Sequence, residues 1–179
     1  MIDLSRTRFV ITAWPDNRWP VETIHWIEAI TKGIETRPDN RTSITKKNIV
    51  CARNFAIASG ALRSNKHFEH FVFLDKDVRP SINKTTRFLD LATDVKCCQV
   101  AQENKSAWAW PDDFHESIWS TSRHVLETIK PPWFEFQYND DKTDMIGCIC
   151  NSFRAKALEA GFTISHGGWA EHDRDRSWC

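Results

Sequence analysis

The sequence lacks a surplus of either charge: 24 Lys and Arg face 24 Asp and Glu over 179 residues. That balance argues against a protein whose main task is to neutralise a polyphosphate backbone, so no extended nucleic-acid surface is expected. Nowhere does an apolar run reach about 18 residues, so no membrane span is expected. The opening MIDLSRTRF has no hydrophobic stretch of the signal-peptide kind, which points to a cytoplasmic protein. The six cysteines form no paired CxxC at zinc-finger spacing: Cys97 and Cys98 are adjacent, Cys148 and Cys150 alternate, and Cys51 and Cys179 stand alone. They read as mostly buried, small apolar side chains. Internal repeats, low-complexity stretches and linkers are also missing, and the length is that of one domain. There is one tyrosine against nine tryptophans. Such a surplus offers flat stacking surfaces for sugars or bases, or simply a bulky core, and composition does not choose between them.

What is present alternates. Phe9-Val10-Ile11 is a short apolar run stopped by the turn cluster Trp14-Pro15-Asp16-Asn17. Pro20 suits the first turn of a helix carrying Ile24, Ile27, Ile30 and Ile34. A short strand is predicted around Ser43 to Thr45. Asn48 can cap a helix with the stripe Cys51, Phe55, Ala58 and Leu62. His70 to Leu74 is apolar on both faces, as in a central strand covered by helices on each side. Ser81 to Ala92 reads as helix and Val95 to Ala101 as strand. Residues 103–119 show no period and read as a long loop or lid. Thr121 to Ile129 reads as helix, Trp133 to Tyr138 as strand, and 139–142 as a turn. Thr143 or Asp144 could cap a helix with the stripe Ile149, Phe153, Ala157 and Ala160, ended by Gly161. Phe162 to Ile164 is a last strand, followed by a polar, aromatic tail. The expected fold is therefore a single α/β domain, an α/β/α sandwich on a central mixed sheet, spanning 1–179 with a flexible tail from about 165 to 179.

In such sheets ligands sit at the carboxyl ends of strands. Here Phe71 to Leu74 runs into Asp75-Lys76-Asp77. Carboxylates at i and i+2 of an extended chain lie on one side and repel unless a cation sits between them. Hard oxygen ligands of this kind suit Mg²⁺ or Mn²⁺, with positions left for water and substrate phosphates. The plain alternative is an exposed acidic turn.

The segments NIVCARNFAIASGAL and HFVFLDKDVRP together resemble glycosyltransferases of the GT-A fold, similar to family 2 and to the compact enzymes of phages and other viruses. Arg53, Asn54, Asp75, Asp77 and Pro80 match in order and spacing. PPWFEF, a later acidic position, EAGFTI and a terminal His resemble the second half, so the likeness spans about residues 8 to 173. It implies a Rossmann-type GT-A domain that moves a sugar from a UDP- or GDP-linked donor to an acceptor hydroxyl on a glycan, a protein or a modified nucleobase. If viral, the protein would act in the host cytoplasm. The resemblance puts Asp75 nearer the nucleotide ribose, Asp77 on the metal, and Arg53 and Asn54 on the donor; the plain alternatives are an exposed helix cation for Arg53 and a local hydrogen-bonder for Asn54. Asp75, Asp77 and His172 then form the metal site. An imidazole ligand favours Mn²⁺ over Mg²⁺, and His166 competes with His172. Gly167 and Gly168 would let the tail fold over the donor.

Inverting members carry a Glu-Asp pair at the start of the late helix, and its acid takes the acceptor proton. This chain has Thr143-Asp144, so Asp144 is the expected base, Asp141 the reserve, and an Asp cap or a retaining enzyme the alternatives. Trp110, Trp133 and Trp169 are the candidate acceptor wall, with Trp108 and Phe134 beside them; each is also a candidate for core packing.

Two rival readings remain. An apolar strand followed by DxDV also resembles the nucleophile motif of haloacid-dehalogenase-type phosphatases, although roughly seventy residues of α/β pattern precede it here. The missing Glu before Asp144 also leaves room for a nucleotide-sugar- or carbohydrate-binding protein without turnover.

Overall fold

The computed structural model describes residues 2–12, 18–45, 48–101, 114, 117–147 and 149–172. After a 3₁₀ turn at Leu4–Arg6 come β1 (Thr7–Thr12), α1 (Val21–Ile30), β2 (Arg41–Ile44) and α2 (Ile49–Phe55). The helix continues with π-type winding over Ala56–Leu62, and is followed by β3 (His70–Asp75) and β4 (Val78–Arg79). Next are α3 (Ile82–Thr85) with a 3₁₀ extension Thr86–Asp90, β5 (Val95–Ala101), β6 (Ile118–Ser122) and α4 (Arg123–Thr128). The chain ends in β7 (Gln137–Tyr138), β8 (Met145–Gly147), α5 (Cys150–Glu159) and β9 (Ile164–His172).

Seven strands form one mixed sheet in the order β2-β1-β3-β6-β5-β9-β4, and β7 and β8 pair as a separate hairpin. β1 is parallel to β2 and β3, β6 is antiparallel to β3 and β5, β5 is parallel to β9, and β4 is antiparallel to β9. Hence β1, β2, β3, β5 and β9 all run one way. Thr12, Asp75 and His172, the last residues of three of them, come to the same end of the sheet.

Strand alternation divides the core into two layers. Val10, Phe71, Phe73, Val95, Cys97 and Trp119 face one side, with Ile57, Ala61, Val125, Leu126 and Phe153 from the helices over them. Phe9, Ile11, Val72, Leu74, Cys98, Ile118 and Ala170 face the other, with Trp26, Ile27, Phe88 and Leu89. This is the Rossmann-like α/β sandwich expected. β3, third in the order, is covered on both faces.

Local differences have identifiable causes. Asn48 caps α2 as predicted, its side chain accepting from the Cys51 N–H at 3.0 Å. The buried face, however, is Ala52, Arg53, Ala56, Ile57, Gly60 and Ala61, while Cys51 and Phe55 are exposed. The strand predicted over Trp133 to Tyr138 is reduced to Gln137–Tyr138. The N–H groups of Trp133 and Phe134 both donate to Asn54 Oδ1 (2.8 and 3.0 Å), and the Phe134 carbonyl accepts from Asn54 Nδ2 (2.7 Å). Those backbone groups cannot also join a sheet ladder. Trp119, expected in a loop, lies buried in β6 and stacks on Phe73 at 4.3 Å between centroids. The tail expected from 165 is instead β9 as far as His172. Gly167 and Gly168 serve this strand: Gly168 has φ +71°, and a Cβ on it would stand 2.6 Å from the Lys84 carbonyl and 2.7 Å from that of Thr85. They let β9 run close under α3, where Thr85 Oγ1 donates to the Trp169 carbonyl at 2.8 Å. Gly161 (φ +83°) does end α5, with Phe162 N–H bonding to the Ala157 carbonyl and Gly161 N–H to that of Leu158, both at 3.0 Å.

Arg123, buried at the start of α4, holds the turn before β3. It donates to the carbonyls of Phe68 (3.0 Å), Leu62 (3.0 Å) and Asn65 (3.2 Å) and to Ser64 Oγ (3.1 Å), and it lies over the Phe71 ring. Replacing Arg123 by Ala strands the buried Phe68 carbonyl, worth about 1–3 kcal/mol when bare, and frees three part-buried acceptors. Urea unfolding of Arg123→Ala is expected to show a loss of at least about 2 kcal/mol.

His70, at the start of β3, has its pKa pushed below the usual 6.5 by burial; Glu69 and Asp3 oppose that shift, and Lys96 and Arg6 reinforce it. The folded chain therefore binds fewer protons at this site than the unfolded chain, and stability falls as pH drops below 6.5. Urea midpoints measured across that range are expected to decline toward acid in the native protein and to slope less in His70→Gln.

Candidate functional site

The site grows from β3. Its alternation sends Phe71, Phe73 and then Asp75 to the side covered by α2, and register pairs Asp75 with Thr12 at the end of β1. Arg53, on the buried face of α2, meets Asp75 there with both guanidinium nitrogens: Nη1 donates to Oδ1 and Nη2 to Oδ2. Nη1 also donates to Thr12 Oγ1 at 2.8 Å, and that hydroxyl donates to Asp75 Oδ1 at 2.5 Å. The side chains of Arg53 and Asp75 are only 4% and 11% exposed, so this is a buried, bidentate ion pair. Thr12 was not singled out from the sequence. Its only signal was its place at the end of an apolar run, and its partner follows from strand pairing that a sequence does not display.

Asp77 has a different neighbour. The strand ends at Asp75, the next two residues turn, and β4 pairs with β9 so that Val78 stands opposite His172. His172 Nε2 thereby lies 3.4 Å from Asp77 Oδ1, with the imidazole buried and the carboxylate 30% exposed. The i, i+2 rule holds only while the chain stays extended, and the strand ends between the two acids, so alternation alone does not set their sides.

One oxygen and one imidazole nitrogen at that separation suit a small divalent ion. Two neighbouring ligands, each at about 2.1 Å, stand roughly 3.0–3.4 Å apart on such an ion. Among the described residues no cluster of three or more His, Cys, Asp or Glu side chains is arranged to hold a metal. Asp75, expected among the ligands, has both oxygens on Arg53. Asp77 and His172 are thus the pair that could hold a cation, whose remaining positions would go to water or to a ligand's phosphates.

The other expected residues lie elsewhere. Asn54, expected on the donor, spends its amide on the backbone of Val50, Trp133 and Phe134. Trp133 is buried in the core, with Nε1 donating to the Leu126 carbonyl at 3.1 Å, so it is not an open wall. Trp169 is half-buried in β9, and the Lys84 ammonium sits 4.6 Å from its ring centroid, occupying one face. Trp108 and Trp110 lie outside the described residues. His166, the rival of His172, pairs in register with Cys97, well down β9 from the strand's end.

Asp144 is exposed in the turn between β7 and β8 and does not open α5, which begins at Cys150. Asn139 N–H donates to the Asp144 carbonyl and Asp144 N–H to Asn139 Oδ1, both at 3.0 Å, closing a hairpin loop where a helix cap was expected. In the same loop Asp141 accepts from the Thr143 N–H and hydroxyl, which lowers its pKa below the usual 3.8.

No protein-family model matches the sequence, and no curated protein matches it. Among solved structures the chain is similar to A197 from STIV, at 17% identity and a TM-score of 0.57, over 95% of this chain and 86% of that one. A provisionally assigned nucleotide-diphospho-sugar transferase from Desulfovibrio desulfuricans G20 is more distant, at 9% identity and a TM-score of 0.43, over 97% and 84% of the two chains. The first likeness establishes the shared fold.

Breaking a buried pair by removing one partner costs about 3–5 kcal/mol, because the other charge is left bare, whereas an apolar replacement of both costs far less. Asp75→Leu and Arg53→Met are each expected to lose stability on that scale, and the double variant to recover most of it. Urea denaturation of all four proteins in a double-mutant cycle measures the coupling.

Proposed function

We propose that this protein is a metal-dependent glycosyltransferase that moves a sugar from a nucleotide-diphosphate donor to an acceptor hydroxyl. The observation that carries the reading is the meeting of Asp77, two residues past the end of β3, with His172 at the carboxyl end of β9. These residues are far apart in sequence and are joined by the β4–β9 pairing. The reading is supported by the order of Arg53, Asp75, Asp77 and His172 along the sequence, residues to which the GT-A resemblance gives donor and metal binding. Asp77 and His172 would hold Mn²⁺ or Mg²⁺, and the imidazole favours Mn²⁺. The bound ion would act as a Lewis acid toward the diphosphate. Asp77 supplies a partly exposed anionic oxygen, and buried His172, held in the β9 ladder, fixes the direction of its ring nitrogen. Arg53 pairs with both oxygens of Asp75, so of the two acids in the motif Asp77 is the one proposed as a ligand.

In the finer form of the proposal transfer is inverting. The acceptor oxygen bonds to the sugar's anomeric carbon as the bond from that carbon to the diphosphate oxygen breaks. The nucleoside diphosphate leaves, and the acceptor proton passes to the Asp144 carboxylate on the β7–β8 hairpin.

The phosphatase reading requires Asp75 to attack phosphorus. Arg53 occupies both its oxygens, which counts against that role. A binding protein without turnover is favoured by one observation, the exposed position of Asp144 in a hairpin turn.

Release of UDP or GDP from a panel of sugar nucleotides, with and without Mn²⁺, separates these readings. Metal-dependent release that is abolished in Asp77→Ala and in His172→Ala is the expected outcome. Turnover that survives EDTA, or that survives both substitutions, would overturn the metal site. Tight donor binding with no release would identify a binder. Asp144→Asn is expected to slow transfer at least a hundredfold with donor affinity unchanged, and equal losses in both would make Asp144 structural.

A further inference from the structure

The β7–β8 hairpin that carries Asp144 stands apart from the seven-stranded sheet, so its placement depends on how its two ends are held. The chain enters it through residues 133–135 and leaves it into α5. The entering segment is gripped from two helices. From α2, Asn54 Oδ1 accepts from the N–H groups of Trp133 and Phe134, and Asn54 Nδ2 donates to the Phe134 carbonyl. From α5, Lys156 Nζ donates to the Pro132 carbonyl and to Glu135 Oε2. One group joins entry to exit. Ser152 Oγ accepts from the Glu135 N–H at 2.9 Å and donates to the Ile149 carbonyl at 2.8 Å. Glu135 stands just before the hairpin arm and Ile149 just after it, so a single buried serine closes the arm at its base.

The two bonds differ in meaning. A serine near the start of a helix readily bonds back to a carbonyl three residues earlier, and that contact concerns α5 alone. The bond from Glu135 spans 17 residues and has no part in the helix. Lys156 reaches the same segment through a long side chain, whereas the Ser152 side chain is short, buried and bonded at both ends. A change at the base of an arm is carried to its tip, and a general base must stand within hydrogen-bond reach of the proton it takes.

We infer that Ser152 is a positioning residue for Asp144: its hydroxyl sets the angle at which the β7–β8 arm presents that carboxylate to the acceptor. The inference rests on the proposed transfer with Asp144 as base, and adds to it the residue that holds the base in place.

The test is release of UDP or GDP by the full chain in Mn²⁺ from UDP-glucose, UDP-galactose, UDP-N-acetylglucosamine and GDP-mannose, with water as acceptor. Ser152→Ala is expected to lower kcat about tenfold, the effect of a misplaced reacting group, with donor KM within about twofold of native. Ser152→Cys keeps nearly the same volume but bonds poorly, and is expected to show the same loss. In the Asp144→Asn background, Ser152→Ala is expected to cost less than about twofold more, because no base is left to misplace. A full tenfold loss in both backgrounds, a native kcat in either Ser152 variant, or a rise in donor KM that matches the fall in kcat would overturn the inference and leave the transfer reading standing. Loss of the folded circular dichroism spectrum in both Ser152 variants would make the residue structural and overturn it as well. Native turnover in Asp144→Asn would remove the base, and no release from any donor by the native protein would remove the transfer; either takes the inference with it.

Discussion

Asp75 ends the most protected strand of the sheet with its charge directed under a helix rather than into water, and a bare carboxylate there would be far too costly to bury. Arg53 supplies the compensating charge, and because a guanidinium fork grips both oxygens only in one orientation, it also sets the rotation of α2. Successive helical residues are about 100° apart. With Arg53 aimed at the sheet, Ala52, Ala56 and Ile57 go into the core, Asn54 turns sideways to residues 133–134, and Ile49, Cys51 and Phe55 are left facing outward. One ion pair thus decides what a whole helix buries and which loop it pins.

The same pair splits an apparently uniform motif into two halves with different tasks. Asp75, Arg53 and Thr12 form an internal lock whose polar atoms serve one another. Asp77, two residues later but past the end of the strand, keeps a third of its side chain in solvent and stands beside a buried imidazole. Burial divides them: Asp75 is held under α2 by a guanidinium, and Asp77 stands at the partly exposed end of the site beside His172.

Much of this was legible in the sequence where a pattern reports directly on a local cause. The doubly apolar run of β3, the Asn48 cap, the Gly161 terminator and the alternation of strands with helices all follow from short-range rules. The stripe of α2 was misjudged because a step count of apolar residues gives no weight to a buried arginine, and Arg53 decides the matter. The strand at 133–138 and the cap at Asp144 failed for a related reason. Asn54 and Asn139 capture backbone groups that a propensity argument leaves to the main chain. Of the candidate site, the identities of Asp77 and His172 could be read, but Thr12, and the parting of the two carboxylates, depend on strand register and on where β3 stops.

β4 lies at the edge of the sheet and, among the described residues, pairs with β9 alone, although it precedes β9 by about half the length of the chain. During synthesis, therefore, the turn carrying Asp77 emerges long before the strand that will anchor it. A ribosome-bound chain halted before residue 164 can build β1, β3 and the Arg53 lock, but it has nothing to hold β4 in the sheet. The order of translation makes the half of the candidate site that carries Asp77 and His172 the last to be assembled.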